Sequence, residues 1–176
     1  MKISNEIKLK LKQTYTSETA GIRQHFISDI VKNNQLEMGA EIGVRFGQTL
    51  FHVLHNNPAL KMFAVDKDVS QFQNGVRTFV DRIYIHEADS RVSPTFVEDN
   101  TLDFFFIDAS HTYKNVKRDI MSWIPKLKPN GWMIGHDIDY PSVEKAVIET
   151  IGYYEVGPDN VWFARADKNY NGIIKL

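Results

Sequence analysis

Leu102-Asp103-Phe104-Phe105-Phe106-Ile107-Asp108 is the stretch on which the fold turns. Its apolar residues run without alternation, so a strand here buries side chains on both faces. That is the signature of a central strand in a parallel sheet with helices on either side. Downstream, Lys114 to Leu127 has helical periodicity, with Val116, Ile120, Trp123, Ile124 and Leu127 as its buried stripe. Pro129-Asn130-Gly131 is the turn expected to stop that helix. Gly131-Trp132-Met133-Ile134-Gly135-His136-Asp137 reads as the next strand. Pro141 suits the first turn of a further helix, with Val143, Val147 and Ile151 inward. Tyr153-Tyr154-Glu155-Val156 and Val161-Trp162-Phe163-Ala164-Arg165 read as a terminal antiparallel hairpin.

Upstream the same alternation holds. A helix is predicted over Glu18 to Asn33, with Ile22, Phe26, Ile30 and Val31 inward and Arg23, Asp29 and Lys32 between them. Strands are predicted at Gly39 to Val44, Lys61 to Asp66 and Arg82 to Ala88, with a helix from Gly47 to His55 after the first. Strands alternating with helices are the pattern of parallel βαβ units, hence an α/β fold. No repeat, linker or low-complexity tract divides the chain. Residues 1–176 are read as one domain, with 1–36 as an N-terminal helical extension and 37–176 as the core.

Composition narrows the function classes. The 176 residues are 43% hydrophobic and 24% charged, with a formal net charge of −1, so no broad basic surface offers itself to nucleic acid. Lys2, Lys8, Lys10 and Lys12 read as a solvated terminal segment. The absence of cysteine excludes disulfides, thiolate metal sites and a thiol nucleophile. Met1 to Glu6 lacks an apolar signal region and no stretch is long and apolar enough to span a bilayer, so a cytoplasmic protein with no membrane partner is expected.

In open α/β sheets, ligands bind beyond the carboxyl ends of the strands. Gly43 and Gly47 after the first strand permit tight backbone turns, although that spacing alone also suits a purely structural loop. Asp66 ends the second strand, 19 residues beyond Gly47, where a carboxylate reaches ribose hydroxyls. Glu41, two residues before Gly43, would repel a dinucleotide's pyrophosphate but attract the ammonium and sulfonium of S-adenosylmethionine. The full Gly-x-Gly-x-x-Gly dinucleotide pattern is absent. Asp89 and Ser90 follow the third strand; singly, either also serves as a helix N-cap.

Ala40-Glu41-Ile42-Gly43-Val44-Arg45-Phe46-Gly47-Gln48-Thr49 resembles the first motif of class I S-adenosylmethionine-dependent methyltransferases. Asp103 to Tyr113, Lys126 to Gly131 and Gly135-His136-Asp137 are similar to segments of one group in that superfamily. It is the small-molecule and sugar O-methyltransferases related to macrocin methyltransferase and cephalosporin hydroxylase. The resemblance covers roughly residues 38–165. It implies a Rossmann-like doubly wound sheet of seven strands in order 3-2-1-4-5-7-6, the last antiparallel. It also implies that Glu41 and Gly43 hold the methionine part, Asp66 the ribose, and Asp89 with Ser90 the adenine edge. Gly47, Gln48, Thr49, Lys67 and Asp108 complete the implied cofactor contacts. Asn130 departs from the group's usual glycine, and asparagine tolerates the left-handed conformation needed there.

Asp108 and Asp137 end the fourth and fifth strands, with His111 just past the first and His136 just before the second. Two chemistries fit. Asp108 and Asp137, with His136 or His111 assisting, could ligate Mg²⁺ or Mn²⁺, which would bind the acceptor oxygen of a small molecule. Alternatively His111 is a general base with Asp108 and Asp137 in support, since imidazole ordinarily titrates near neutrality. Taken singly, each of the four is as readily structural. His25, His52, His55 and His86 are read as structural or solvated. With so short a chain, the acceptor pocket is shallow, completed by the N-terminal helix, or completed by a second copy in a homo-oligomer. A non-catalytic cofactor-binding module, or another reaction of the same cofactor, is the remaining alternative.

Overall fold

The computed structural model describes residues 21–72 and 75–166. The lysine-rich start and the part of the first predicted helix before residue 21 lie outside them. Eleven elements follow in order. They are α1 (Ile22–Asn33), β1 (Met38–Ile42), α2 (Gln48–Asn56), β2 (Lys61–Asp66), β3 (Ile83–Glu87) and β4 (Leu102–Ile107). Then come α3 (Tyr113–Trp123), β5 (Leu127–Gly135), α4 (Pro141–Ile151), β6 (Glu155–Val156) and β7 (Trp162–Arg165). The seven strands form one sheet in the order β3-β2-β1-β4-β5-β7-β6. All pairings are parallel except those of β7, which runs antiparallel to β5 and β6. This is the topology that the resemblance implies.

The phenylalanine run explains the two layers. Phe105 and Ile107 point to one face, where they pack with Ile42, Val116, Ile120, Trp123 and Val147. Phe104 and Phe106 point to the other, against Ile27, Val31, Leu50, Leu54 and Met62. All three rings of the run are essentially inaccessible to solvent. Each contributes about 1.5–3 kcal/mol by leaving water.

Three local readings are corrected. Ile22, expected inward, is 68% exposed, and its neighbour Arg23 turns toward the sheet. The third helix stops at Trp123, not at Leu127, because Pro125 has no N–H to donate back along the helix. Pro129-Asn130-Gly131 lies inside β5 instead of ending a helix. Asn130 adopts φ 64° there, and the ladder shifts register between Leu102 and Phe104, so the predicted turn is a bulge in a strand.

Between β3 and β4 the only helical segment is a 3₁₀ turn, Ser93–Phe96. The outer sheet is therefore thinly covered. The rings of Tyr84, Phe63, His86 and Phe96 touch in succession there, with centroids 5.0 to 5.5 Å apart. No helix among the described residues is long and apolar enough to cross a membrane.

Candidate active site

Hydrogen bonds in the ladder continue one residue past the strands and bring their carboxyl ends into line. Gly43 donates to Val65, Ala88 to Asp66, Asp108 to Ile42 and His136 to Ile107, at 2.8 to 3.0 Å. The strand order reverses between β1 and β4, the place where such sheets bind ligands. A cavity of 480 Å³ opens there, lined among others by Gly43, Asp66, Lys67, Asp89, Ser90 and Asp108. A neighbouring cavity of 320 Å³ is lined by Arg23, Glu41, Gln48, Thr49, His111, His136 and Asp137, with Gly43 and Asp108 shared between the two.

The loop between them is held in an unusual shape. Gly43, Arg45 and Gly47 all have φ between 51° and 88°. A Cβ at Gly43 would lie 2.2 Å from the Asp108 carbonyl oxygen, so only glycine lets the loops after β1 and β4 meet. Arg45 is not glycine, and Asp66 holds it in place. One Asp66 oxygen accepts from the Val44 and Arg45 amides at 2.9 and 2.6 Å, and the other from the Asp68 amide at 3.1 Å. Asp66 thus shapes the loop as well as lining the cavity.

Glu41 is 3% exposed, and no hydrogen bond or ion pair to its carboxylate is found among the described residues. Burial pushes its carboxyl well above the ordinary carboxylate range, and the charge of Asp108 raises it further. The positive charge of Arg23, on the wall of the same cavity, opposes these effects. Across the larger cavity, Arg91 bonds both oxygens of Asp89 at 2.6 and 2.7 Å and holds that carboxyl below its usual range. Lys67 lies 3.0 Å from the same group. Ser90 donates to the buried Asp119 at 2.7 Å.

Beyond the ends of β4 and β5, His111 Nε2 lies 2.6 Å from Asp137 Oδ2, and His136 Nδ1 lies 2.9 Å from Asp137 Oδ1. Asp137 itself has φ 60°, which turns its carboxylate back between the two rings. Ser142 on α4 donates to the His111 carbonyl at 2.6 Å and anchors that loop. The ring of Tyr140 lies against His111, centroids 4.8 Å apart. Arg23, the second residue of α1, puts one guanidinium nitrogen 3.0 and 3.1 Å from the two ring nitrogens of His136 and 3.4 Å from Asp108. That near-equal spacing sets the guanidinium nitrogen against the face of the His136 ring. Burial raises the Asp108 carboxyl, against the opposing pull of Arg23 and His136.

Metal-ligand atoms of Asp108, His111 and Asp137 lie within 4.8 Å of one another. Of the two histidines expected to assist, this grouping holds His111, while His136 lies against Arg23.

Sequence reasoning missed Arg23 and the wall of the larger cavity formed by Asn115, Arg118 and Asp119 of α3. For Asp119 a signal existed: it lies three residues from Val116 and next to Ile120, on the apolar stripe, where a carboxylate needs a reason to be. For Arg23 there was none, since its partners are distant in sequence.

A family described as a methyltransferase domain matches residues 40–138, more than half of the chain. The chain belongs to that family. The solved structures that share the fold include enzymes of the S-adenosylmethionine-dependent class. A methyltransferase of Podospora anserina bound to S-adenosylhomocysteine is 12% identical with a TM-score of 0.70, over 90% of this chain and 86% of that one. An O-methyltransferase of Bacillus cereus in complex with S-adenosylhomocysteine is 13% identical with a TM-score of 0.67, over 93% and 89%. An O-methyltransferase from Streptomyces achromogenes involved in tomaymycin synthesis, in complex with S-adenosylmethionine, is 12% identical with a TM-score of 0.64, over 94% and 91%. Over 43 residues the methyltransferase is also 40% identical to an uncharacterized protein, y4gI, of Sinorhizobium fredii. That match takes in 24% of this chain and only 5% of the relative.

Proposed function

We propose that this methyltransferase uses S-adenosylmethionine to methylate a hydroxyl oxygen of a small molecule, with His111 as base and Asp137 as its orienting partner. The observation that carries the proposal is the pair His111 Nε2–Asp137 Oδ2 at 2.6 Å, on the wall of a cavity that also holds the unpaired Glu41. The fold supports the cofactor, and the O-methyltransferases among the structural neighbours support an oxygen acceptor.

The residues present fit the cofactor. Glu41 offers a buried negative charge to a cationic methionine end, and Gly43 brings backbone close. Asp66 or Asp89 would take ribose hydroxyls and the Ser90 region the adenine, with Lys67 closing that side. Gln48 and Thr49 line the cavity at the opposite end. When bound, S-adenosylmethionine supplies an electrophilic methyl group carried on its sulfonium.

The chain's own task is then the proton. Asp137 accepts from Nε2–H and so fixes His111 with Nδ1 as the proton-accepting nitrogen. A proton leaving the acceptor hydroxyl goes to Nδ1, and the imidazolium that forms is neutralised by Asp137. A second reading is that Mg²⁺ or Mn²⁺ held by Asp108 and Asp137 assists the acceptor oxygen. The convergence of Asp108, His111 and Asp137 favours it.

Calorimetric titration with S-adenosylhomocysteine and with NAD tests the cofactor: binding of the first and not the second is expected, and the reverse sinks the proposal. Incubation with methyl-deuterated S-adenosylmethionine and a panel of hydroxylated small molecules, read by mass spectrometry, then finds the acceptor. His111→Gln should lower kcat by about 10²- to 10⁴-fold, the usual share of a general base, with affinity for S-adenosylhomocysteine unchanged.

A further inference from the structure

The acidic cluster at the ends of β4 and β5 already contains a cation, and the chain supplies it. The guanidinium of Arg23 lies 3.4 Å from Asp108 Oδ2, and its Nε is 3.9 Å from Asp159 Oδ2. The same group lies against His136, whose Nδ1 is in turn tied to Asp137. The Arg23 side chain is only 22% accessible and lines the 320 Å³ cavity together with Asp108, His111, His136 and Asp137. Both oxygens of Asp137 are paired to histidines, and Asp108 faces the arginine. A divalent ion bonded to Asp108 would stand within a few ångströms of a positive charge that does not lose its proton. In so sheltered a position that repulsion is weakly screened.

We infer that Arg23 is the resident cation of the acceptor site and takes the place of a divalent metal there. The inference rests on the methyltransferase reading of the site and decides between its two forms of assistance. The negative charge that develops on the acceptor oxygen is met by a guanidinium and an imidazole, not by an ion.

The test needs no acceptor. Mn²⁺ binding is followed by electron paramagnetic resonance for the wild-type chain, Arg23→Lys, Arg23→Gln and Arg23→Met, with S-adenosylhomocysteine titrated in parallel. Wild type and Arg23→Lys should bind Mn²⁺ at least about tenfold more weakly than Arg23→Gln or Arg23→Met, the direction set by charge repulsion. Adding Asp137→Asn should abolish the gain. Each variant should still bind S-adenosylhomocysteine, which shows that it is folded; because Arg23 lines the same cavity as Glu41, the neutral variants are compared with one another and not with the wild type for that affinity. Mn²⁺ binding by the wild type as tight as by the neutral variants overturns the inference, and so does a failure of both neutral variants to bind it. Loss of S-adenosylhomocysteine binding by the wild type strikes the methyltransferase reading instead. Arg23→Met keeps the aliphatic stem and leaves the core contacts of Ile27, Ile30 and Val31 intact, so folding of α1 is preserved.

Discussion

Glu41 shows at the scale of one residue how a binding site is maintained at the expense of the empty protein. Its carboxyl is raised by burial, so the folded state binds its proton more tightly than the unfolded chain does. Between the ordinary carboxylate pKa and that raised value, the folded state holds more protons, and stability falls as pH rises through the window. Above it the burial cost is fully present. Glu41→Gln should therefore raise the melting temperature of the ligand-free protein at pH 8 by about 2–4 °C per kcal/mol relieved. The gain should vanish at low pH, where Glu41 is already neutral. The same variant should weaken S-adenosylmethionine binding severely by calorimetry. Unchanged affinity would remove Glu41 from the cofactor site.

Among the elements, α1 and α2 meet through an unusual pair of rings. His25 and His52 lie edge to face with centroids 4.5 Å apart, His55 sits one turn on from His52, and Asp29 faces them from α1. Burial, then the neighbouring histidines, lowers the His52 pKa from 6.5 to about 4. The unfolded chain thus takes up a proton first as pH falls. Stability contributed by neutral His52 is complete above pH 6.5 and lost progressively down to about pH 4. In His52→Gln, melting temperature should depend less on pH between 7 and 4.5 than in the wild type. Identical slopes would refute the assignment.

These elements were legible to different degrees. The strands and their order followed from apolar runs and the family's motifs, because sheet burial is written in local composition. The bulge at Asn130 and the outward turn of Ile22 were not. The first depends on the β7 backbone, where the Asn130 amide donates to Ala166, and the second on what faces α1. The dyad His111–Asp137 was visible as a pair of strand-end residues. Arg23 was not, since its contact with His136 spans 113 positions and periodicity does not say what a helix faces.

At the scale of the molecule, the cofactor cavity is bounded by loops from β1, β2, β3 and β4, so a ligand there ties four strands together. S-adenosylhomocysteine at a hundred times its dissociation constant should stabilise the fold by about 2.7 kcal/mol. For a chain of this size that is a rise in melting temperature of roughly 5–10 °C. No shift by scanning calorimetry would mean that the cavity does not take the cofactor.

The larger cavity is walled mainly by loops of the sheet and by α3, whereas the guanidinium beside Asp108 comes from one helix of 12 residues. The side chain at position 23 is therefore where a change on α1 reaches the smaller cavity without altering any strand, and the place where engineering of its chemistry should begin.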